Sequence, residues 1–326
     1  MVLVTNITLA LICCIYCCIC WGSWGNTQKL VQKKDWKSSL FYWDYIAGFF
    51  LTAVLGLLVF NGGNIFDNLT WSSVGWALLG GLVWNVANIF LTTANGIAGM
   101  SVAFPIGGGF GWVGGIIFNY FVAGFTGNET LLWIGVALAV AAMLLCAVSY
   151  KKRSANESKE KSPMIGIVLA FISGFGFAFF YGLVVKATAP EFGGSGTLSP
   201  YQAVFFFAVA VLISTLFLNP VVMKKSVEGE ATMTDYFKKG DARTHLIGML
   251  GGFIWMSGMV ISFMSAGADV NKAVAYALSN ASPLIAMIWG VFIWKEFKGA
   301  PKGTNKYVAA MFLSFLVALV LITMSN

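Results

Sequence analysis

The chain has 326 residues, of which 58% are hydrophobic and only 10% are charged. Soluble domains carry about 25% charged residues, so this composition excludes a soluble globular protein. The formal net charge of +7 does not indicate a nucleic-acid partner, because the basic residues are confined to short segments between long apolar stretches. We therefore expect a protein embedded in the lipid bilayer, with its basic segments as loops.

In chain order, the apolar stretches predict ten transmembrane helices. Each is about 20 residues long, which is enough for a helix to cross the hydrocarbon core. The backbone must satisfy its own hydrogen bonds in lipid, so such segments form helices. The predicted fold class is therefore an all-α integral membrane protein. The expected spans are 5–25, 41–60, 72–93, 98–124, 130–150, 164–187, 200–219, 246–266, 270–294 and 305–324.

The lysines and arginines are distributed unevenly over the predicted loops. Of the 20 basic residues, 18 lie in odd-numbered loops, and only Lys186 and Lys272 lie in even-numbered ones. Cytoplasmic loops of membrane proteins carry an excess of Lys and Arg. We therefore expect a multi-pass protein of the cell (inner or plasma) membrane, with cytoplasmic odd-numbered loops and both termini outside.

Two segments of the chain resemble each other closely enough to indicate an internal repeat. Leu78–Trp84 reads LLGGLVW, and Met249–Trp255 reads MLGGFIW. Five spans in each half is an odd number, so the two repeats have opposite orientations. Inverted repeats are typical of secondary transporters, which bind their substrate near the midplane between the halves. The predicted units are a first five-helix repeat over 1–150, a basic cytoplasmic linker over 151–162 and a second repeat over 163–326.

Three motifs, together with the five-plus-five repeat, carry a resemblance to a known family. Ser282–Glu296 reads SPLIAMIWGVFIWKE, Trp21–Lys29 reads WGSWGNTQK and Phe41–Tyr45 reads FYWDY. The repeat and the first motif resemble the drug/metabolite transporter superfamily, and the other two are similar to its sugar and ureide uptake branch. That branch holds glucose/ribose porters, the rhamnose–proton symporter and ureide permeases. The first repeat has Ala123 and Gly124 where the second has Lys295 and Glu296, so a family role for the acidic residue transfers only to Glu296.

Polar and aromatic residues within the spans are the candidates for substrate binding. Polar groups at bilayer depth are costly and tend to mark pathways, and aromatic rings beside amide side chains suit a neutral, hydrogen-bonding ligand. The alternative is that the Trp and Tyr residues form interfacial belts and that the Asn residues join helices. The candidates are Trp21, Trp24, Asn26, Trp84, Asn85, Asn88, Tyr181, Trp255, Tyr276 and Asn280.

Asp44 is the candidate for ion coupling, because this carboxylate opens the second span among Phe41, Tyr42, Trp43 and Tyr45. A carboxylate in such surroundings could relay a proton. The alternative is an interfacial Asp that stabilises a helix N-terminus.

The fourth span carries glycines at the four-residue spacing that lets helices pack backbone to backbone. A proline one turn earlier allows the helix to bend, and Pro283 has the same predicted role in the ninth span. The expected packing and hinge residues are Pro105, Gly107, Gly111, Gly115 and Pro283.

These features predict a secondary active importer of a small neutral polar solute, with a monosaccharide as the leading substrate and a proton or sodium ion as a possible co-substrate. A ureide or nucleobase permease, or a metabolite exporter, would use the same fold. An intramembrane enzyme is disfavoured because the spans are nearly devoid of His, Asp and Glu. We expect no cofactor. Cys13, Cys17 and Cys20 share one helix face, but no other soft ligand accompanies them there, so we expect no metal site.

Overall fold

The computed structural model describes residues 1–31, 35–62, 66–123, 127–154, 163–268 and 278–325. These segments are predominantly helical. Two π-helical turns, Phe104–Gly108 and Trp289–Ile293, interrupt the fourth and ninth predicted spans. The α-helices are α1 Ile7–Ser23, α2 Gly25–Leu30, α3 Ser38–Phe60, α4 Trp71–Ala98, α5 Met100–Ala103, α6 Gly109–Ala123, α7 Glu129–Ser154, α8 Pro163–Ala187, α9 Pro200–Lys225, α10 Met233–Lys239, α11 Ala242–Met264, α12 Ser282–Ile288 and α13 Thr304–Met324.

Within the described residues, nine helices are long and apolar enough to cross a membrane, and Leu278–Ile293 is a shorter apolar helix. The chain is therefore an all-helical, multi-pass membrane protein, as predicted. α1 and α2 together form the first span, Ile7–Leu30. The third span extends to Ala98, and only Gly99, at a φ of 87°, separates it from α5. That left-handed φ is readily adopted by glycine alone, so the third and fourth spans are joined by a one-residue turn.

The glycines of the two similar segments bring helices into direct backbone contact. A Cβ atom on Gly81 of α4 would lie 2.3 Å from the carbonyl oxygen of Phe207 in α9. A Cβ atom on Gly252 of α11 would lie 1.9 Å from the carbonyl oxygen of Tyr45 in α3. Any larger residue would force the helices apart, and small residues at helix contacts are the usual means of tight packing in membranes.

One end of the helix bundle, which we call the basic end, brings together residues from or beside the odd-numbered loops. Lys29 donates to the carboxylate of Glu296, which also accepts from the backbone N–H of Met100 at 3.0 Å. Arg153 donates to the carbonyl oxygens of Glu296 and Ala98, each at 3.3 Å. Loops one, three, five and nine therefore meet at this end.

The opposite end, which we call the terminal end, holds the two chain termini. The backbone N–H of Val2 donates to the carbonyl of Phe60 at 2.8 Å, and that of Val4 donates to the carbonyl of Met264 at 2.9 Å. The backbone carbonyl of Ser325, the residue before the last, accepts from the N–H of Asn128 at 2.6 Å. The 26-residue helix α7 carries the chain from Asn128 to the basic end at Arg153, a distance of about 39 Å at 1.5 Å per residue.

Candidate functional site

An aromatic cluster occupies the middle of the bundle, where the two similar segments meet. The rings of Trp84 and Trp255 have centroids 4.5 Å apart. Phe49 of α3 stacks on both of them, at 4.8 Å and 5.1 Å. Trp21 of α1 stacks on Trp255 at 5.2 Å, and its indole N–H donates to the carbonyl of Trp255. The last residue of each repeated motif therefore contributes a ring to one shared cluster.

A cavity borders this cluster and is lined by residues from both halves of the chain. Its volume is about 50 Å³. Sites for drug-sized ligands occupy about 300–1,000 Å³, so the cavity must widen to admit a solute. Among the described residues, every side chain that lines the cavity is uncharged. The lining residues are Trp21, Trp24, Trp84, Leu91, Phe104, Gly108, Gly111, Trp112, Phe177, Phe180, Trp255, Asn280 and Ser282.

Two of the lining tryptophans have an indole N–H without a hydrogen-bond partner. The Nε1 atoms of Trp84 and Trp112 are buried and unpartnered within the described part of the chain. An indole N–H is a donor only, and leaving a buried donor unpaired costs about 1–3 kcal/mol. If the widened cavity reaches these two N–H groups, carbonyl or hydroxyl oxygens of a ligand would satisfy them, whereas a hydrocarbon would not.

The structure brings together half of the predicted substrate-binding residues at this cavity. Trp21, Trp24, Trp84, Trp255 and Asn280 line it. Tyr181 lies just outside this lining, edge-on to Trp21 at 6.4 Å, with its hydroxyl 3.4 Å from that of Ser262. Asn26 accepts a hydrogen bond from the indole of Trp294 at 2.5 Å. Tyr276 lies outside the described residues.

Asn85 and Asn88 are fully buried in contacts between helices and do not line the cavity. The Asn85 amide donates to Ser214 and Thr215 of α9 at 2.7 Å and 3.0 Å, and its oxygen accepts from the hydroxyl of Tyr42 at 2.7 Å. Asn88 donates to the same hydroxyl at 3.3 Å. Here the geometry favours the alternative of the sequence analysis, in which Asn joins helices.

The predicted hinge residues lie where the fourth span departs from α-helical geometry. Pro105 stands in the π-helical turn Phe104–Gly108. A Cβ atom on Gly107 would lie 2.5 Å from the hydroxyl oxygen of Ser173, and one on Gly111 would lie 2.6 Å from the Cβ of Phe177, both on α8. Gly115, further along α6, is also buried. These glycines therefore lie along the fourth span, two of them directly against α8.

Pro283 in α12 is buried and faces the same turn, since a Cβ atom on Gly108 would lie 3.2 Å from its ring. Irregular helical turns are frequent at functional sites. The two predicted hinge prolines therefore stand on neighbouring elements beside the cavity.

Asp44 pairs with a residue that the sequence analysis did not connect to it. Its carboxylate lies 2.9 Å and 3.0 Å from Nδ1 of His245, the only histidine in the chain. The hydroxyl of Tyr236 in α10 donates to the same carboxylate at 2.5 Å. Burial and the nearby Asp44 raise the pKa of Tyr236, so its hydroxyl stays protonated and remains a donor. No local sequence pattern links Asp44 to His245, which is 201 residues away.

Comparison with known proteins decides the family. The family model described as "Ureide permease" matches residues 148–325, which is more than half of the chain. The chain belongs to the ureide permease family. It is therefore a membrane transporter and not an enzyme.

The relatives span nearly the whole chain. "Ureide permease 1" from Arabidopsis thaliana is 23% identical, over 97% of this chain and 97% of its own length. The "Putative ribose uptake protein RbsU" from Latilactobacillus sakei is 26% identical, over 91% of this chain and 92% of its own. Named relatives of both kinds confirm the resemblance to the sugar and ureide uptake branch.

A solved crystal structure shares the fold. It aligns with a TM-score of 0.60 over 97% of this chain and 98% of its own, at 14% sequence identity.

Proposed function

We propose that the chain is a secondary active importer of a small neutral polar solute, with a monosaccharide as the leading substrate and the central cavity as its binding site. The observation that carries this proposal is the lining itself, which has uncharged side chains, several tryptophan rings and two unpartnered indole N–H donors. Sugar rings stack on indoles through their apolar faces, and their hydroxyl oxygens accept hydrogen bonds. An uncharged lining disfavours ionic solutes, whose charge would be buried without a partner.

A ureide or nucleobase is the second candidate substrate, and the match to the ureide permease family model favours it. A flat ring with carbonyl acceptors would stack between indoles and accept from Trp84 and Trp112 equally well. The same architecture running in reverse would export a metabolite.

A binding screen on the purified protein separates these candidates. Glucose, ribose, allantoin and uracil are each added in a thermal-unfolding assay, since a ligand that binds only the folded state raises its melting temperature. We expect one class of solute to raise the melting temperature. In Trp112→Phe, the same rise should need about ten times more ligand, because one buried hydrogen bond is lost. Trp133→Phe, a partly exposed tryptophan of α7, is the matched control. A screen in which no neutral solute shifts the wild-type protein would refute the proposal.

We further propose that the protein has ten spans in two inverted five-helix repeats, 1–150 and 163–326, joined by the linker 151–162. The paired tryptophans and glycines of the two similar segments support this arrangement, as does the grouping of odd-numbered loops at the basic end. The basic end then faces the cytoplasm of the cell membrane, and both termini face outside. A reporter that is active only in the cytoplasm should be silent when fused after Asn326, and strong activity there would overturn the topology.

Asp44 is the proposed proton-coupling residue, and His245 is its partner. The carboxylate is 3% exposed and touches both the histidine and Tyr236, so a proton arriving there changes contacts among α3, α10 and α11. Asp44→Asn should keep counterflow exchange and lose accumulation driven by a pH gradient. Asp67→Asn, an exposed loop residue, should keep both. Normal pH-driven accumulation in Asp44→Asn would remove Asp44 from the coupling mechanism, and a wild type without pH-driven accumulation would leave sodium coupling or facilitated diffusion.

A further inference from the structure

A row of three side-chain contacts joins the first span to the ninth at the basic end. The indole of Trp289 donates to the hydroxyl of Ser23 at 2.8 Å, and that of Trp294 donates to Asn26 at 2.5 Å. Lys29 pairs with Glu296. Ser23, Asn26 and Lys29 are three residues apart, and this spacing places them along one helix face.

Glu296 also joins this row to the fourth span. Its carboxylate, in a side chain only 5% exposed, accepts from the backbone N–H of Met100 at 3.0 Å and of Ser101 at 2.9 Å, and from the Ser101 hydroxyl. These are N–H groups at the start of α5, which have no partner within a helix. A single carboxylate therefore holds together the first, fourth and ninth spans.

The row extends from beside the cavity to the basic end. Trp24, which lines the cavity, stands between Ser23 and Asn26. Ser282, also in the lining, precedes Trp289 by two helical turns in the same span. A Cβ atom on Gly22 would lie 2.5 Å from the carbonyl oxygen of Ser282, so the two spans are in backbone contact above the row. A solute in the cavity therefore meets these contacts on its way to the basic end.

We propose that Ser23, Asn26, Lys29, Trp289, Trp294 and Glu296 form the inner gate of the transporter. This inference rests on the proposed alternating-access transport. The gate is closed in this structure, and release of solute to the cytoplasm requires the row to separate. The π-helical turn Trp289–Ile293 lies inside the row, and it gives the ninth span a point at which to bend. Glu296 is the positioning residue, because breaking the contacts of its carboxylate frees both Lys29 and the start of α5.

Gate opening can be measured without knowing the substrate. Ser282→Cys places a thiol in the cavity lining, and inside-out vesicles are treated with a membrane-impermeant maleimide. The six native cysteines stay in place, and the parent without Ser282→Cys gives the background. We expect slow labelling when the gate is intact. Adding Lys29→Gln or Glu296→Gln should raise the labelling rate about tenfold, the factor that corresponds to about 1.4 kcal/mol.

Three further variants define what the labelling rate reports. Trp294→Phe keeps the ring but removes one donor, so it should raise the rate by a smaller factor, about threefold. Lys306→Gln and Glu230→Gln remove the same charges at exposed positions and should leave the rate unchanged. If Glu296→Gln fails to fold, Lys29→Gln and Trp294→Phe carry the test, because each leaves the start of α5 capped.

The gate and the proposed function fail in different ways. Unchanged labelling in a folded Lys29→Gln protein that still transports solute would overturn the gate. Raised labelling in a protein that neither binds nor transports any neutral solute would support the gate and refute the proposed substrate class.

Discussion

The two ends of the helix bundle are closed by different chemistry. At the basic end, Lys29 pairs with Glu296 and His245 pairs with Asp44. At the terminal end, the hydroxyl of Ser199 donates to Asn61 at 2.5 Å, and backbone N–H groups donate to carbonyls. Charge-assisted hydrogen bonds are about twice as strong as neutral ones. A bond of this kind at the terminal end runs from the Tyr120 hydroxyl to Glu129. The ion pairs that join different spans within the described residues lie at the side with the inner gate, so in this conformation that side has the stronger contacts between spans.

Lys186, a basic residue near the terminal end, contacts an aromatic ring and, within the described residues, no acidic side chain. Lys186, which the sequence places outside, lies 3.8 Å from the ring centroid of Trp76. A cation above an indole contributes about 0.5–1 kcal/mol at exposed sites. This contact needs no acidic partner, so it adds no ion pair that must break when the terminal end opens.

The largest expected effect belongs to Glu296→Ala. It removes the partner of Lys29 and the acceptor for two N–H groups of α5. Breaking a fully buried ion pair costs about 3–5 kcal/mol, and this partly buried pair belongs at the lower end of that range. We expect a loss of about 3 kcal/mol in the free energy of unfolding, measured by denaturant titration in mixed micelles. Glu191→Ala, an exposed acid near the terminal end, should change it by less than about 0.5 kcal/mol. Equal losses of unfolding free energy in the two variants would contradict the conclusion that the basic end has the stronger contacts.

A double-mutant cycle on Asp44 and His245 should give the next largest effect. Asp44→Ala, His245→Ala and the double variant should show a coupling energy of about 1–2 kcal/mol, as contacting residues commonly do. The same cycle on Ser199 and Asn61 should give a smaller value, since both groups are neutral. Additive losses at Asp44 and His245 would show that their contact contributes nothing to stability.

Ser199→Ala tests the terminal end directly and should have a moderate effect. Ser199 and Gln202 form a reciprocal cap at the start of α9. Loss of such a cap costs about 1 kcal/mol, and we expect a loss of that size in the free energy of unfolding. Ser199→Asn restores a capping side chain and should recover most of it. If both variants lose the same amount, the contact with Asn61 matters more than the cap.

The smallest effect is expected for Lys239→Gln, at an exposed ion pair in α10. The hydrogen bond from Lys239 holds the pKa of Asp235 below its usual range. A carboxyl with a lowered pKa adds stability above its unfolded pKa, near 4, and loses that contribution only as the pH falls further. The melting temperatures of wild type and Lys239→Gln should therefore run parallel between pH 5 and 8. A difference that changes within this range would mean that another group titrates with the pair.

Nine of the ten predicted spans coincide with long apolar helices of the described residues, because each span is encoded locally, in a run of about 20 apolar residues. The sequence also named both Trp84 and Trp255 as substrate-binding candidates, and the structure places their ring centroids 4.5 Å apart. The sequence did not distinguish the role of Asn280 from that of Asn85. Both are amides within spans, but Asn280 lines the cavity and Asn85 binds Ser214 and Thr215. The rotation of each helix against its neighbours decides this, and no single helix encodes it.

Trp112 and His245 are residues whose place at a proposed functional site the sequence did not predict. Trp112 lies in a glycine-rich stretch that predicted packing, yet this residue lines the cavity, and its indole N–H has no partner within the described residues. His245 stood in a basic loop, and only the approach of α11 to α3 sets it against Asp44.

The sequence by itself determined that this protein is a helical membrane protein with one basic end, because hydrophobicity and charge act residue by residue. The tertiary structure alone decided which polar side chains face a solute, which join helices and which close the basic end, because those contacts exist only once helices distant in the chain have packed together.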